Sequence, residues 1–188
     1  MDILSAIFLG VIQGFTEWLP ISSSGHLVMA QALFGIDAPA EFDIVIMAGT
    51  TIALIAYFRQ RIISLFLGLL KLDKPSLNFL MFMIIAGVPT AIIGFLGRGL
   101  FKGLFSSPLI VSLFIVITGI FLFMVSRSRP AKASSLNPGR AALIGLAQGI
   151  AIAPGISRSG STIGTGLLLG LSPKDAAAVA GIEKKLTS

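Results

Sequence analysis

Gln13–His26 reads QGFTEWLPISSSGH, and the pattern returns 135 residues later as Gln148–Ser161, QGIAIAPGISRSGS. At that offset residues 6–35 fall on 141–170 without a gap. The matches are Ala6/Ala141, Gly10/Gly145, Gln13/Gln148, Gly14/Gly149, Ile21/Ile156, Ser22/Ser157, Ser24/Ser159, Gly25/Gly160, Leu33/Leu168 and Gly35/Gly170. These are ten identities in thirty positions, where such a composition gives about two or three by chance. The period is too long for a solenoid and fits a membrane protein built from two related halves. The copies differ where chemistry would sit: Glu17 faces Ile152, His26 faces Ser161, and Ser23 faces Arg158.

Composition places this repeat in a bilayer. The chain of 188 residues is 55% hydrophobic and 12% charged, with a mean hydropathy of +0.96. Soluble domains carry about 25% charged residues. The net charge of +6 is not a nucleic-acid signal, because the basic residues fall in short stretches between apolar runs, where they report topology. There is no cysteine, which removes disulfides, thiol chemistry and thiolate metal sites. The apolar N-terminus lacks a positive leader region, so no cleaved signal peptide is expected.

The segmentation follows from the apolar runs. Ile3–Trp18 is too short to cross the roughly 30 Å hydrocarbon core as a helix. It ends at Leu19-Pro20 and passes through Ile21–Gly25, which is turn and N-cap chemistry, before His26–Phe34 resumes. Residues 3–35 therefore read as a re-entrant helical hairpin, with non-helical backbone inside the membrane that must be buried or line a wet cavity. Gly35–Asp43 reads as a loop. Full spans are expected near 40–58, 77–96 (with a kink at Pro89) and 108–125. Ile62–Leu70, between basic residues, reads as an interfacial piece. A second hairpin covers 141–171, broken at Pro154-Gly155 and Ser157–Gly160. The chain is then all-α, with a first repeat at 1–140 and the start of a second at 141–188.

Lysines and arginines set the orientation. None occurs before Arg59. Arg59, Arg61, Lys71 and Lys74 follow the first full span, and Arg127, Arg129, Lys132 and Arg140 follow the third. Only Arg98 and Lys102 lie between the second and third. The positive-inside rule puts the two groups of four, after the first and third spans, in the cytoplasm. The two hairpins then enter from opposite faces, as inverted-topology repeats whose tips meet near the midplane.

The chemistry-bearing residues cluster in the two breaks. Glu17 is a lone acid in an apolar helix, and carboxylates within a membrane are expensive enough to imply function. Gln13 lies one turn earlier on the same face, so the pair offers hard oxygen ligands to Mg²⁺ or Ca²⁺. His26, the single histidine, follows Ser22, Ser23, Ser24 and Gly25 and suits acid/base or nucleophilic work. Arg158 lies in APGISRSGSTIG. There Gly155 and the start of a helix offer inward N–H groups, the guanidinium offers a planar fork, and Ser157, Ser159 and Thr162 offer hydroxyls. Brought together, these are parts for metal-assisted phosphoryl chemistry on a lipid phosphate.

Gln13-x-x-x-Glu17, then LPISSSGH at 19–26, then PGISRSGST at 154–162 resembles the undecaprenyl-diphosphate phosphatase family, the bacitracin-resistance type, over most of the chain. The resemblance implies a multi-pass plasma-membrane enzyme that hydrolyses a polyprenyl diphosphate lipid to the monophosphate and inorganic phosphate, recycling the carrier lipid of cell-wall polymers. It also implies dependence on a divalent cation and a site opening to the outer face. By motif position it makes Glu17, Ser23, His26 and Arg158 catalytic, with Gln13 and Glu17 as its Gln/Glu-x-x-x-Glu pair. Whether Ser23, His26 or water attacks phosphorus stays open. The rival class is a lipid-phosphate or anion carrier, since inverted repeats with broken helices also bind anions in transporters. An acid, a histidine and serines gathered in one copy favour a reaction. The polar stretch Ser172–Ser188 cannot form a span. The chain is therefore expected to be inactive alone, or to borrow helices from another copy in a homo-oligomer.

Overall fold

The computed structural model describes residues 1–128 and 136–179, which form eight α-helices and no strand. Helix α1 (Ile3–Glu17) starts where the Asp2 carboxylate accepts the Ser5 N–H at 2.7 Å. It is about 22 Å long at 1.5 Å per residue. A break over residues 18–22 leads into α2 (Ser23–Phe34), which stops at Gly35 in a left-handed conformation, φ 63°. The two helices pack on each other. Further on, α6 (Pro138–Ile150), a break over 151–157 and α7 (Arg158–Leu168) repeat the arrangement, again with mutual packing.

Between these pairs lie α3 (Ala40–Leu70), α4 (Lys74–Phe105) and α5 (Pro108–Arg127). All three are long and apolar enough to cross a membrane, with mean hydropathies of 1.6, 2.4 and 2.8 over their best windows. Several expectations change here. Ile62–Leu70 is no separate interfacial piece, because α3 runs unbroken to Leu70 and carries Arg59 and Arg61 within the helix. The loop after Gly35 ends at Pro39, since α3 begins at Ala40 and places Glu41 and Asp43 in its first turn. There the carboxylates meet the positive end of the helix. Helix α4 extends beyond the expected 77–96 at both ends and carries Pro89 inside it, where Thr90 donates to the Ala86 and Gly145 carbonyls at 3.0 and 2.9 Å. The stretch after the second pair is not wholly irregular, because Pro173–Val179 forms α8. Arg129, Lys132 and residues 181–188, used above for orientation and for the polar tail, lie outside the described residues.

Two small cores organise the pairs. Leu9, Leu27 and Ala30 are buried together, with Ile12, Ile36 and Phe42 against them. Ile144, Leu171 and Ala176 form the second core, with Ile163 and Leu167 against them. Leu9 and Ile144, both fully buried, stand at the 135-residue offset, as do Ile36 and Leu171. The repeat is thus expressed in packing as well as in sequence. Helix α4 seats α6: a Cβ on Gly145 would run into the Ala86 carbonyl, and one on Gly149 would lie 2.6 Å from the Ile93 side chain.

Candidate active site

The two breaks touch each other. A Cβ on Gly25 would lie 2.8 Å from the Gly155 Cα, and one on Gly160 would lie 3.0 Å from the Pro20 carbonyl oxygen. Gly25 and Gly160 correspond in the repeat, and so do Pro20 and Gly155, so the contact is reciprocal. Both helices that leave the breaks are capped alike: Ser22 Oγ accepts the Gly25 N–H at 3.3 Å, and Ser157 Oγ accepts the Gly160 N–H at 3.1 Å. Local backbone permits this approach at two special points. Gly155 has φ +93°, and Ser22 takes φ 68°, a left-handed conformation that a serine adopts at a cost. The Ser22 carbonyl accepts both the His26 N–H at 3.1 Å and His26 Nδ1 at 2.9 Å, which holds it there. Thr118 of α5 secures the other break, donating to the Gly155 carbonyl at 2.9 Å and accepting the Ser157 N–H at 3.3 Å.

Over this junction opens a cavity of about 610 Å³. The first copy contributes Glu17, Ser22, Ser23 and Ser24; the second contributes Gln148, Ser157, Arg158, Ser159 and Thr162. Helix α3 forms a further wall with Asp43, Met47, Thr51, Leu54 and Phe58, and Phe105 of α4 completes it. Glu17 Oε2 accepts two hydrogen bonds, from Ser23 Oγ at 2.6 Å and from Gln13 Nε2 at 3.1 Å. Gln13 is buried behind this carboxylate; its Nε2 also reaches Thr50 Oγ1 at 3.4 Å, while its Oε1 has no partner among the described residues. A buried acceptor without a donor is costly. That orphaned amide oxygen and the Glu17 carboxylate are the kind of hard oxygen donors a divalent cation takes. Among the described residues no group of three or more His, Asp or Glu gathers for a metal. A cation here would therefore complete its shell from phosphate oxygens and water, as Mg²⁺ commonly does.

Across the cavity, Arg158 is the first residue of α7. No carboxylate pairs with it among the described residues. An unpaired guanidinium at a helix N-terminus has the chemistry to hold an anion. The hydroxyls near it are partly committed. Ser157 caps α7 and lies 3.3 Å from Ser159 Oγ, and Thr162 Oγ1 donates to the Arg158 and Ser159 carbonyls at 3.0 and 3.1 Å. His26 does not line the cavity. A carbonyl only accepts, so in this contact His26 Nδ1 carries a proton.

A family model described as bacitracin resistance protein BacA matches residues 6–180. The chain belongs to that family. It is 37% identical to an undecaprenyl-diphosphatase of Methanosphaera stadtmanae, in a match covering 94% of this chain and 71% of the relative. It is 39% identical to the undecaprenyl-diphosphatase of Desulforapulum autotrophicum, with the same coverage. The identity is 41% to that of Trichlorobacter lovleyi, over 94% of this chain and 68% of the relative. In this BacA-family chain the site residues expected from sequence divide by place. Glu17, Ser22, Ser23, Ser24, Ser157, Arg158, Ser159 and Thr162 line one cavity. Gly25 and Gly155 form the contact beneath it, Gln13 backs the carboxylate, and His26 stands aside on the Ser22 carbonyl. Several polar residues escaped the sequence reading, Thr16 and Thr51 of the cavity wall among them. Asp43, held by Gln31 Nε2 at 2.9 Å, gave the same signal as Glu17, an acid beside an apolar run, but fell in what read as a loop. Gln148 was visible as a repeat match with Gln13. Thr118 gave no signal, being one hydroxyl in an apolar span.

Proposed function

We propose that this chain hydrolyses a polyprenyl diphosphate, undecaprenyl diphosphate in particular, to the lipid monophosphate and inorganic phosphate. One observation carries the reading: a serine hydroxyl 2.6 Å from a carboxylate shares a cavity with an unpaired arginine at a helix N-terminus. The first is an activated nucleophile; the second is a clamp for charge that develops on phosphoryl oxygens. Ser23 Oγ passes its proton to Glu17 and attacks the terminal phosphorus. The bond to the bridging oxygen breaks, and the lipid monophosphate departs with the proton from Glu17. Water, deprotonated by Glu17, then cleaves the phosphoserine; the proton returns to Ser23 and inorganic phosphate leaves. Arg158 holds the phosphoryl oxygens through both steps. Gln13 Oε1 and Glu17 would hold Mg²⁺ or Ca²⁺, which when bound neutralises phosphate charge.

The three relatives above bear the name of a phosphatase, and the carrier reading finds no support among them. A plasma-membrane site opening outward is supported by position. Its walls come from the N-terminal part of α3 and the C-terminal end of α4, away from the Lys71–Lys74 turn that the positive-inside rule assigns to the cytoplasm. The test is acid-quenched turnover of polyprenyl diphosphate labelled in its terminal phosphate. Label on Ser23, absent from Ser23→Ala, is the expected result. Label on His26 would overturn the assignment of the nucleophile, and absence of phosphate release would overturn the function.

A further inference from the structure

Gln148 occupies in the second copy the place that Gln13 holds in the first, yet the two amides live differently. Gln13 is 1% exposed and spends its Nε2 on Glu17 and Thr50. Four residues after Gln148 the second copy has Ile152 where the first has Glu17, so the carboxylate partner is gone. Gln148 is half-buried and lines the cavity together with Arg158 and Glu17. Among the described residues nothing hydrogen-bonds its side-chain amide. Helix α6 is held elsewhere, by Gly145 and Gly149 against α4, so its packing makes no demand on this amide. A larger apolar residue would fill the same wall without leaving a polar group unsatisfied. An amide there has two N–H donors and, among the described residues, no acceptor to receive them.

We infer that Gln148 is a substrate-positioning residue, donating hydrogen bonds to the diphosphate oxygens of the lipid beside the Arg158 clamp. It rests on the phosphatase reading and adds a neutral donor to it. Arg158 supplies charge, while Gln148 supplies direction, fixing the rotation of the diphosphate so that its terminal phosphorus faces Ser23. Gln148 touches no reacting proton in this scheme. Its loss therefore weakens binding more than it slows chemistry. A hydrogen bond to a charged group is worth about a tenfold to hundredfold change in affinity when removed.

The test compares the native protein with Gln148→Glu, which keeps the shape but turns acceptor oxygens and charge on the anion, and with Gln148→Met, which keeps the length without polarity. Two readouts are taken on the same preparations. One is the KM and kcat for polyprenyl diphosphate; the other is thermal stabilisation by inorganic pyrophosphate, which needs no turnover. The expected result is unchanged melting without ligand, a KM raised about tenfold or more with kcat altered far less, and loss of the pyrophosphate shift, with Gln148→Glu the worse. Native KM and a native pyrophosphate shift in both variants would overturn the inference, as would a fall in ligand-free melting temperature in both, which would make the amide structural. Absence of turnover by the native protein itself would instead strike the phosphatase reading, while the pyrophosphate shift still decides the role of Gln148.

Discussion

One carboxylate oxygen, Glu17 Oε2, receives both Gln13 Nε2 and Ser23 Oγ. In the proposed reading, the other Glu17 oxygen and the buried Gln13 Oε1 would be the groups that hold a cation. Glu17→Gln keeps the shape and removes both the base and the ligand charge. The variant should fold in detergent with native melting and lose at least about a hundredfold in phosphate release, the usual worth of a positioned base. Native rates in that variant would remove Glu17 from the site. Arg158 tests geometry rather than charge. Lysine keeps the charge but lacks the planar fork, so Arg158→Lys should fall to within about tenfold of Arg158→Ala in kcat/KM. A lysine variant near the native rate would make Arg158 a point charge only. At this scale the sequence was informative because an acid and an arginine stand out in apolar surroundings. It was silent on which hydroxyls are free. Ser22 and Ser157 look like ligands in a string of letters, and only the folded chain shows their Oγ atoms on the Gly25 and Gly160 N–H groups.

The two breaks work because their flanking helices are seated, and the seats differ between copies. Gly145 meets the Ala86 carbonyl, whereas a Cβ on its counterpart Gly10 would find no atom within 4 Å among the described residues. Gly145→Ala should therefore cost about 1–3 kcal/mol through overpacking, while Gly10→Ala should leave the melting temperature unchanged or raise it. Equal effects of the two substitutions would sink this account of α6. Thr90→Val removes the bond to the Gly145 carbonyl and should cost about 0.6 kcal/mol, the usual worth of such a bond between membrane helices, read as a small fall in melting temperature. Element existence was legible from apolar runs and capping residues, as at α5, whose expected and observed limits differ by two residues at one end. Element length was not. Arg59 and Arg61 interrupt the hydropathy of α3 without interrupting its backbone, because arginine is a good helix former and its long stem lets the charge reach the membrane boundary.

Across the whole molecule, the 135-residue echo was the most informative signal. It foretold that two breaks would correspond, and the reciprocal contacts Gly25–Gly155 and Gly160–Pro20 bring those breaks together at one cavity. The echo could not reveal the third wall, since α3 has no counterpart within the aligned stretch, and so Asp43 and Thr51 went unseen. In the proposed reading, divergence between the copies divides the labour: acid, serine and buried amide on one side, arginine and free amide on the other. The central claim is that these two sides together form one phosphatase site. Its most direct measurement is release of inorganic phosphate from undecaprenyl diphosphate by the protein in liposomes, at a density where copies can associate and lend each other helices, with a divalent cation, with the cation chelated, and in the Glu17→Gln form. The account predicts cation-dependent release that leaves the lipid monophosphate and disappears in Glu17→Gln. No release by the native protein, or equal release by Glu17→Gln, would contradict it.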